Sequence, residues 1–528
     1  MNLAGIAGGR GRALLHLADR APGSTDLSVV LTTDPDAPVL SAARDRDVPT
    51  AVVEPGGDRD DHETRLLDAL EDRGIDLVAL DGYPRELSPA FLDAAPTTLA
   101  AHPSLLPAFP GPDAPAAALD AGVSVTGSTV HLVTATDSTE PADPPIVTQE
   151  PVPVHSDDDS GTLADRIRHQ GTFRAYPRAV RWFATDRATV HGGALTVDED
   201  GGSSDLPERR LIGEDRAAEL RYGENPHQTA ALYADRAATG ASVVGADRRN
   251  PGAKALSYNN YNDADAALGL VREFDDPATA IVKHANPVGC ATADTVATAY
   301  DRALSTDPMS AFGGIVACNR PCDAATADRI VESFKEVVVA PTYTDDALAI
   351  LRGEADLRVL AVGTLDPGSG SRTVESHLAG GRLVQAADDW QVTPGELTTV
   401  TDREPTDAHR RTMRFAWNVV KHVASNAVLL ATRTETVGVG MGQASRVDAV
   451  RLAVTKAREH AEGKGPAGAV LASDAFFPFP DGLERAAEAG VDAVVQPGGS
   501  TNDDQVIAAA EDHGVAMAFT GHRAFRHG

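Results

Sequence analysis

Leu3-Ala4-Gly5-Ile6-Ala7-Gly8-Gly9-Arg10-Gly11-Arg12-Ala13-Leu14-Leu15 decides the class of the fold. Leu3–Ala7 is an apolar run of strand length, Gly8–Gly11 is a glycine-rich turn, and a short helix runs through Leu15. The same grammar continues outward. Leu27–Thr32 reads as a strand, Pro38–Arg46 as a helix, and Val52-Val53 as the end of another short strand. His62–Asp72 reads as a helix and Leu77–Leu80 as a strand. Short strands alternating with helices predict an α/β fold with a parallel sheet and crossover helices. Ligands of such sheets sit beyond the C-terminal ends of the strands.

The chain has 528 residues, enough for two to four domains with cores of their own. Residues are 42% hydrophobic and 23% charged, a globular composition that argues against a largely disordered chain. Val197–Pro207 (VDEDGGSSDLP) is acidic, rich in glycine and serine, and lacks an apolar period, so it reads as a linker. This divides the chain into a domain over 1–195, a linker over 196–211 and a second α/β region over 212–528. Leu365–Val374 is a further Gly/Ser-rich break, a candidate boundary between two sub-domains. No short-period repeat is visible.

No stretch approaches the ~18 consecutive apolar residues of a spanning helix. Met1–Gly5 lacks a basic leader, so no signal peptide is expected. The expectation is a cytoplasmic protein without a membrane partner. With 77 acidic and 47 basic side chains the formal net charge is −30. Six of the 47 basic residues are lysine and the other 41 arginine. Such a surface repels nucleic acid. It suits a halophilic source, because at ~1 M salt the Debye length is ~3 Å and self-repulsion is screened; the plainer alternative is an ordinary acidic enzyme. Three cysteines, Cys290, Cys318 and Cys322, fit a reducing compartment without a disulfide framework. No histidine pair near them completes a zinc pattern, and no metal is expected.

In the second region, Ala278–Val282 is an apolar, β-capable run that delivers Lys283-His284 at its C-terminal end, followed by the turn Ala285–Gly289. An α/β enzyme places catalytic groups there. The ammonium disfavours the imidazolium, keeping His284 able to accept a proton, and can itself stabilise an oxyanion. Alone, the dipeptide is equally well read as a surface pair. Its neighbours add weight: Arg221–Gln228 (RYGENPHQ), Leu256–Asp263 (LSYNNYND), Ser310–Gly314 (SAFGG), Ser425-Asn426-Ala427, Gly442–Val447 (GQASRV), Ser473–Asp481 (SDAFFPFPD) and Gln496–Ser500 (QPGGS). These segments combine fixed cations, amides, aromatic rings and glycines at which a backbone approaches a ligand closely. Asp503 reads as the cap of a helix ending at Gly514.

This set, over about Ile212–Gly528, resembles the formyltransferase domain of the bifunctional purine enzymes that make inosinate. The resemblance implies transfer of a formyl group from 10-formyltetrahydrofolate to AICAR, the aminoimidazole carboxamide ribonucleotide. It also implies two cytidine-deaminase-like sub-domains without the deaminase zinc, and a homodimer with sites built across its interface. By the same resemblance His284 is the proton acceptor, Lys283 the transition-state stabiliser and Asn426 a catalytic asparagine. Arg221, Tyr222, Gly313, Glu336, Phe476 and Arg523 match nucleotide-holding positions. Arg446 matches an arginine reaching in from the partner subunit. Val447, Asp481, Ser500 and Thr501 match the folate side. Many relatives carry a lysine just before the Ser-Asn pair; here it is Ala424, with Lys421 three positions earlier as a candidate substitute.

In the first region, Ala101–Gly111 (AHPSLLPAFPG), Gly127–His131 (GSTVH) and Pro145–Gln149 (PIVTQ) resemble glycinamide ribonucleotide formyltransferases, across roughly residues 1–195. That resemblance implies a Rossmann-like sheet, formyl folate as donor, and Gly8–Gly11 as the phosphate cradle at a helix N-terminus. The family's asparagine two residues before the histidine is Ala100 here, and its aspartate falls at Ala142, with Asp143 adjacent. Its Ser-Asn after the glycine loop reads Arg12-Ala13. His102 survives, as a functional or a merely structural histidine. A weakened or inactive transferase is the expectation, and a bifunctional enzyme that also formylates glycinamide ribonucleotide is the alternative. An alternative of another class is a non-catalytic protein that binds AICAR or folate. An IMP cyclohydrolase activity is not expected, since no segment resembles its motifs. No Gly-x-x-x-x-Gly-Lys-Ser/Thr loop is present to support formate with ATP as donor.

Overall fold

The structure, a computed structural model, describes residues 1–56, 58–134, 144–191, 194–198, 206–236, 240–365, 373–393 and 395–527. Ala142 and Asp143 lie outside the described residues, as does most of the Leu365–Val374 break. The chain divides into two compact units, Met1–Arg210 and Leu211–Gly528.

The first unit runs β1 (Asn2–Ala7), α1 (Arg12–Arg20), β2 (Asp26–Thr32), α2 (Pro38–Arg44), β3 (Thr50–Val52), α3 (Arg59–Glu71) and β4 (Leu77–Asp81). It continues with α4 (Pro89–Ala94), β5 (Thr97–His102), α5 (Ala114–Asp120), β6 (Val125–Leu132) and β7 (Ile146–Pro153). Next come α6 (Ser160–Arg166), a π-helical turn over Ile167–Thr172, α7 (Phe173–Ala184), and the hairpin β8 (Ala188–His191) with β9 (Ala194–Val197). The seven-stranded sheet has the order β3-β2-β1-β4-β5-β6-β7. The first five strands are parallel, as the alternation predicts, and β6 and β7 add an antiparallel edge. Leu3, Ala7 and Ala79 face one core with α1, α2 and α7, while Ala4, Ile6 and Val78 face another with α3 and α4. This burial on both faces is why these strands read as unbroken apolar runs. The unit does not end at 195, which falls inside β9. Glu208 pairs with Arg181 and Arg187, and Arg209 with Glu150, so the chain to Arg210 belongs to this unit.

The second unit begins with the hairpin β10 (Glu214–Leu220) and β11 (Ala230–Asp235). Its first half is β12 (Asp247–Arg248), α8 (Tyr258–Val271), β13 (Ala278–Lys283), β14 (Asn286–Thr292), α9 (Val296–Leu304), α10 (Pro308–Ala311) and β15 (Ile315–Cys318). That half ends with α11 (Ala324–Val331), β16 (Val337–Ala340), α12 (Asp345–Leu351) and β17 (Arg358–Ala361). After the hairpin β18 (Thr373–Leu378) and β19 (Gly381–Ala386), the second half is β20 (Thr398–Thr399), α13 (Asp407–Val420), β21 (Val428–Thr432) and β22 (Glu435–Gly440). It closes with α14 (Arg446–Glu459), β23 (Val470–Ser473), α15 (Asp481–Glu488), β24 (Ala493–Gln496), α16 (Asp503–Asp512) and β25 (Ala516–Phe519).

Twelve strands form one sheet in the order β12-β17-β16-β15-β13-β14-β22-β21-β23-β24-β25-β20. Read outward from the central pair β14 and β22, the two halves repeat the same sequence of parallel and antiparallel neighbours. Each half is an α/β sub-domain. Strand side chains alternate between faces. Ala280, Val282, Leu429 and Ala431 join α8 and α13 in one core. Ile281 and Leu430 turn to the opposite face, under α9 and α14 respectively. Ser257 and Thr406 start α8 and α13 with capping boxes. The central hairpins bring the turn after β13 and the segment before β21 to the same part of this unit.

Candidate active site

β13 ends in Lys283 and turns through His284 and Ala285, both in the left-handed region at φ 54° and 56°. That conformation costs an L-residue about 1–2 kcal/mol. Asp263 of α8 offsets it: its carboxylate accepts the His284 N–H at 3.0 Å and the Ala285 N–H at 2.6 Å. The Lys283 ammonium donates to the Phe312 carbonyl at 2.8 Å. Gly313 follows at φ 72°, a conformation that favours glycine, and its N–H donates to the Phe334 carbonyl. The Glu336 N–H donates to the Gly314 carbonyl, and its carboxylate accepts Asn260 Nδ2 at 2.8 Å. Lys283, Gly313 and Glu336 therefore share one patch. Asp263→Ala removes the acceptor of two N–H groups and is expected to destabilise the fold by about 2 kcal/mol. Urea unfolding in molar salt measures that loss.

Asn286, the first residue of β14, couples this turn to the second half. Its Nδ2 donates to the His284 carbonyl at 3.0 Å and its Oδ1 accepts the Ala424 N–H at 2.9 Å. Two residues on, Asn426 Nδ2 donates to the Ala444 carbonyl at 3.2 Å, and its Oδ1 accepts Arg446 Nη2 at 2.8 Å. Arg446 is paired in turn with Asp474, which has no exposed surface. Asp474 also accepts the Ser425 hydroxyl at 2.5 Å and the Ala427 N–H at 3.1 Å. The C-terminal segment is tied to the same place: Arg526 N–H donates to Ser425 Oγ at 3.0 Å and Ala524 N–H to the Asp474 carbonyl at 2.8 Å. Arg523 lies within this segment, its guanidinium over the Phe525 ring.

Arg446, matched to an arginine that reaches in from a partner subunit, is 7% exposed within its own chain and bonded there to Asn426 and Asp474. One expectation is corrected here. Lys421 does not replace the lysine missing at Ala424: its ammonium is buried 2.8 Å from Glu273, which also bonds His422 at 2.9 Å. Burial alone would raise the Glu273 carboxyl, but His422 and Lys421 hold it below the usual range.

Phe476 and Phe479 are partly exposed beside buried Phe477, whose N–H donates to Gln496 Oε1. Asn502 Nδ2 donates to the Pro478 carbonyl at 2.8 Å and brings the Ser500-Thr501 loop to the start of α15, where Asp481 sits. Asp503 folds back to accept the N–H groups of Gly499 and Ser500, instead of capping α16. Val447 opens the first turn of α14 beside Arg446. Arg221 and Tyr222 stand together beyond β10, with Arg221 Nη2 donating to the Tyr222 hydroxyl at 2.8 Å. The loop that carries them is joined to α8 through Asn259 Nδ2 and the Glu224 carbonyl. No group of three or more metal-ligating side chains occurs among the described residues. The three thiols are buried, and burial pushes all of them up, Cys318 to about 12.

The first unit has a cleft of about 870 Å³ at the C-terminal ends of β1, β4 and β5, lined by Gly8–Ala13, Asp81, Ala101 and Pro103. A Cβ at Gly8 would come within 1.8 Å of the Gly82 carbonyl oxygen, so only glycine lets β1 and the turn after β4 approach this closely. His102 ends β5 and its Nε2 donates to the Phe109 carbonyl at 2.9 Å. The turn after it is held by Thr129, which donates to the Ser104 carbonyl and accepts the Leu106 N–H, and by Gln149, whose Nε2 donates to the Leu106 carbonyl at 2.8 Å. Thus the three motifs of this region meet in one place. Asp263, Asn286 and Asp474 lie in segments quoted above but carry no role assigned from sequence, and Asp81 lies outside those segments; the structure places all four against the candidate residues.

A family model described as the AICARFT/IMPCHase bienzyme matches residues 167–456, and one described as formyl transferase matches residues 1–180. A bifunctional purine biosynthesis protein PurH of Sinorhizobium medicae is 46% identical over 403 residues, 74% of this chain and 71% of its own length. The protein of that name from Cereibacter sphaeroides is 47% identical over 381 residues, 70% and 71% respectively. The crystal structure of glycinamide ribonucleotide transformylase 1 from Symbiobacterium toebii is 34% identical, with a TM-score of 0.34, over 37% of this chain and 93% of that one. These findings correct one expectation. The matched family is a bienzyme of both activities, and the relatives are named bifunctional, so setting the IMP cyclohydrolase aside is contradicted.

Proposed function

The chain belongs to the AICARFT/IMPCHase bienzyme family, and from that premise we propose that its second unit transfers a formyl group from 10-formyltetrahydrofolate to the exocyclic amine of AICAR. The products are formyl-AICAR and tetrahydrofolate. The observation that carries this reading is the single hydrogen-bonded cluster joining the Lys283-His284 turn, through Asn286, to the segment holding Asn426.

The amine of AICAR is a poor nucleophile, because its lone pair is delocalised into the ring and carboxamide. His284 accepts a proton from it as the new C–N bond forms at the formyl carbon. Lys283 and the amide of Asn426 stabilise the oxyanion of the tetrahedral intermediate. Collapse then breaks the bond from the formyl carbon to N10 of the folate, which takes up a proton. Arg221, Tyr222, Gly313, Glu336, Phe476 and Arg523 hold the nucleotide. Val447, Asp481, Ser500 and Thr501 hold the folate, and Arg446 holds Asn426. The first unit is a weakened glycinamide ribonucleotide formyltransferase, because Ala100 offers no amide donor beside His102.

The working form is a homodimer. Phe312, Phe334, Phe479 and Met309 are 46–70% exposed in the second unit, apolar surface of the kind that an interface covers. The compartment is cytoplasmic, consistent with three free thiols; no described helix is long and apolar enough to cross a membrane. Nucleic acid is not a partner of a surface carrying −30 net charge.

To test the activity, purified protein in molar salt is given AICAR with 10-formyltetrahydrofolate, with a formylated pterin, or with formate and ATP. Formyl-AICAR is expected with the folate donor. Saturable AICAR binding without product under any donor would support a binding protein instead. The same charge implies a salt requirement: at ~0.1 M salt, where the Debye length is ~10 Å, repulsion is less screened and the melting temperature is expected to fall. An unchanged melting temperature and full activity there would remove the halophilic reading.

A further inference from the structure

In the first unit's cleft, some of the groups suited to an anion already have internal partners. Helix α1 starts after Gly11, which provides no side-chain cap, and has no acidic residue in its first turn. Its free N–H groups would ordinarily face solvent or a ligand. Here Asp81, the last residue of β4, accepts the Ala13 N–H at 2.8 Å from across the cleft. Of the three guanidinium groups that line the cleft, two face a carboxylate, Arg168 paired with Asp165 and Arg12 3.9 Å from the same one, while Arg10 has no partner among the described residues. Both the helix terminus and the rim therefore meet carboxylates of the protein itself.

We infer that Asp81 sets the specificity of this cleft: it fills the anion cradle from within and excludes phosphate monoesters, leaving the cleft to ligands without a phosphate. A phosphate entering at Ala13 must displace Asp81, and if Asp81 stays nearby the two anions repel. Burial raises the Asp81 carboxyl from its usual range, while the Ala13 and Leu14 N–H groups act in the opposite sense. The inference extends the reading of the first unit as a weakened transferase. That reading rests on Ala100 and on turnover, whereas this one rests on Asp81 and on binding, so each can fail separately.

The test is calorimetric titration of the full-length protein with glycinamide ribonucleotide in molar salt, on wild type, Asp81→Ala and Asp81→Asn. Asp81→Ala is expected to raise affinity about tenfold to a hundredfold over wild type, with Asp81→Asn between them. Adding Arg12→Glu to Asp81→Ala should cancel the gain, which locates it at this cradle. Wild type binding as tightly as Asp81→Ala would overturn the inference, as would a gain that survives Arg12→Glu. If melting shows that Asp81→Ala does not fold, Asp81→Asn decides: a several-fold gain upholds the inference and equality with wild type overturns it.

Discussion

His284→Ala lowers kcat for AICAR formylation by about two to four orders of magnitude, the usual worth of a positioned general base, with much less change in AICAR affinity. Lys283→Ala lowers kcat by about 10²–10³, the usual cost of removing one donor to an oxyanion. Both effects belong to the transition state, so kcat and kcat/KM fall together while ground-state binding is largely kept. The geometry explains why neighbouring side chains cannot fill in. Asp263 clamps the two left-handed residues of the turn, and Lys283 is aimed at the Phe312 carbonyl beside Gly313. Steady-state kinetics with calorimetric AICAR titration check this. Losses under about tenfold for both variants would remove the mechanism.

Asp474→Ala is expected to be the most destabilising single change in the second unit, at about 3–5 kcal/mol. Asp474 has no exposed surface and Arg446 is 7% exposed. Removing the carboxylate leaves a buried guanidinium without its counter-charge, and takes the acceptor from the Ser425 hydroxyl and the Ala427 N–H. Asp474→Asn retains shape and one acceptor, so it should lose less stability; because Arg446 then holds Asn426 less firmly, its kcat should fall. Chemical denaturation of both variants in molar salt measures the first effect, and kinetics on the folded Asp474→Asn protein the second. A loss below about 1 kcal/mol for Asp474→Ala would mean that the pair contributes little to the fold.

The strands and helices of the first 80 residues are legible because each strand is apolar on both faces and is followed by a polar or glycine-rich turn. The two like halves of the second unit are implied by the family resemblance and are not legible in the residues themselves. Its halves share strand order, while the residues at matching places differ: His284 turns the first central hairpin, and Arg433 and Thr434 turn the second. Lys283 and His284 stand out because an apolar strand delivers them. Asp263 and Asp474 carry no local signal, since their partners lie 21 to 49 residues away. Lys421 misleads for the same reason, as Glu273 claims it from the turn that follows α8. Asp81 reads as an ordinary strand-end acid until the fold places it against α1.

Formyl transfer to AICAR is assigned to the Lys283-His284-Asn426 cluster of the second unit. Its most direct measurement is a partition experiment. Full-length protein receives 10-formyltetrahydrofolate labelled in the formyl carbon, with AICAR and glycinamide ribonucleotide present together, and the label is followed by mass spectrometry. Label is expected on AICAR, is expected to be lost in His284→Ala, and is expected to be little or none on glycinamide ribonucleotide. Label chiefly on glycinamide ribonucleotide, or transfer to AICAR that survives His284→Ala undiminished, would contradict that assignment.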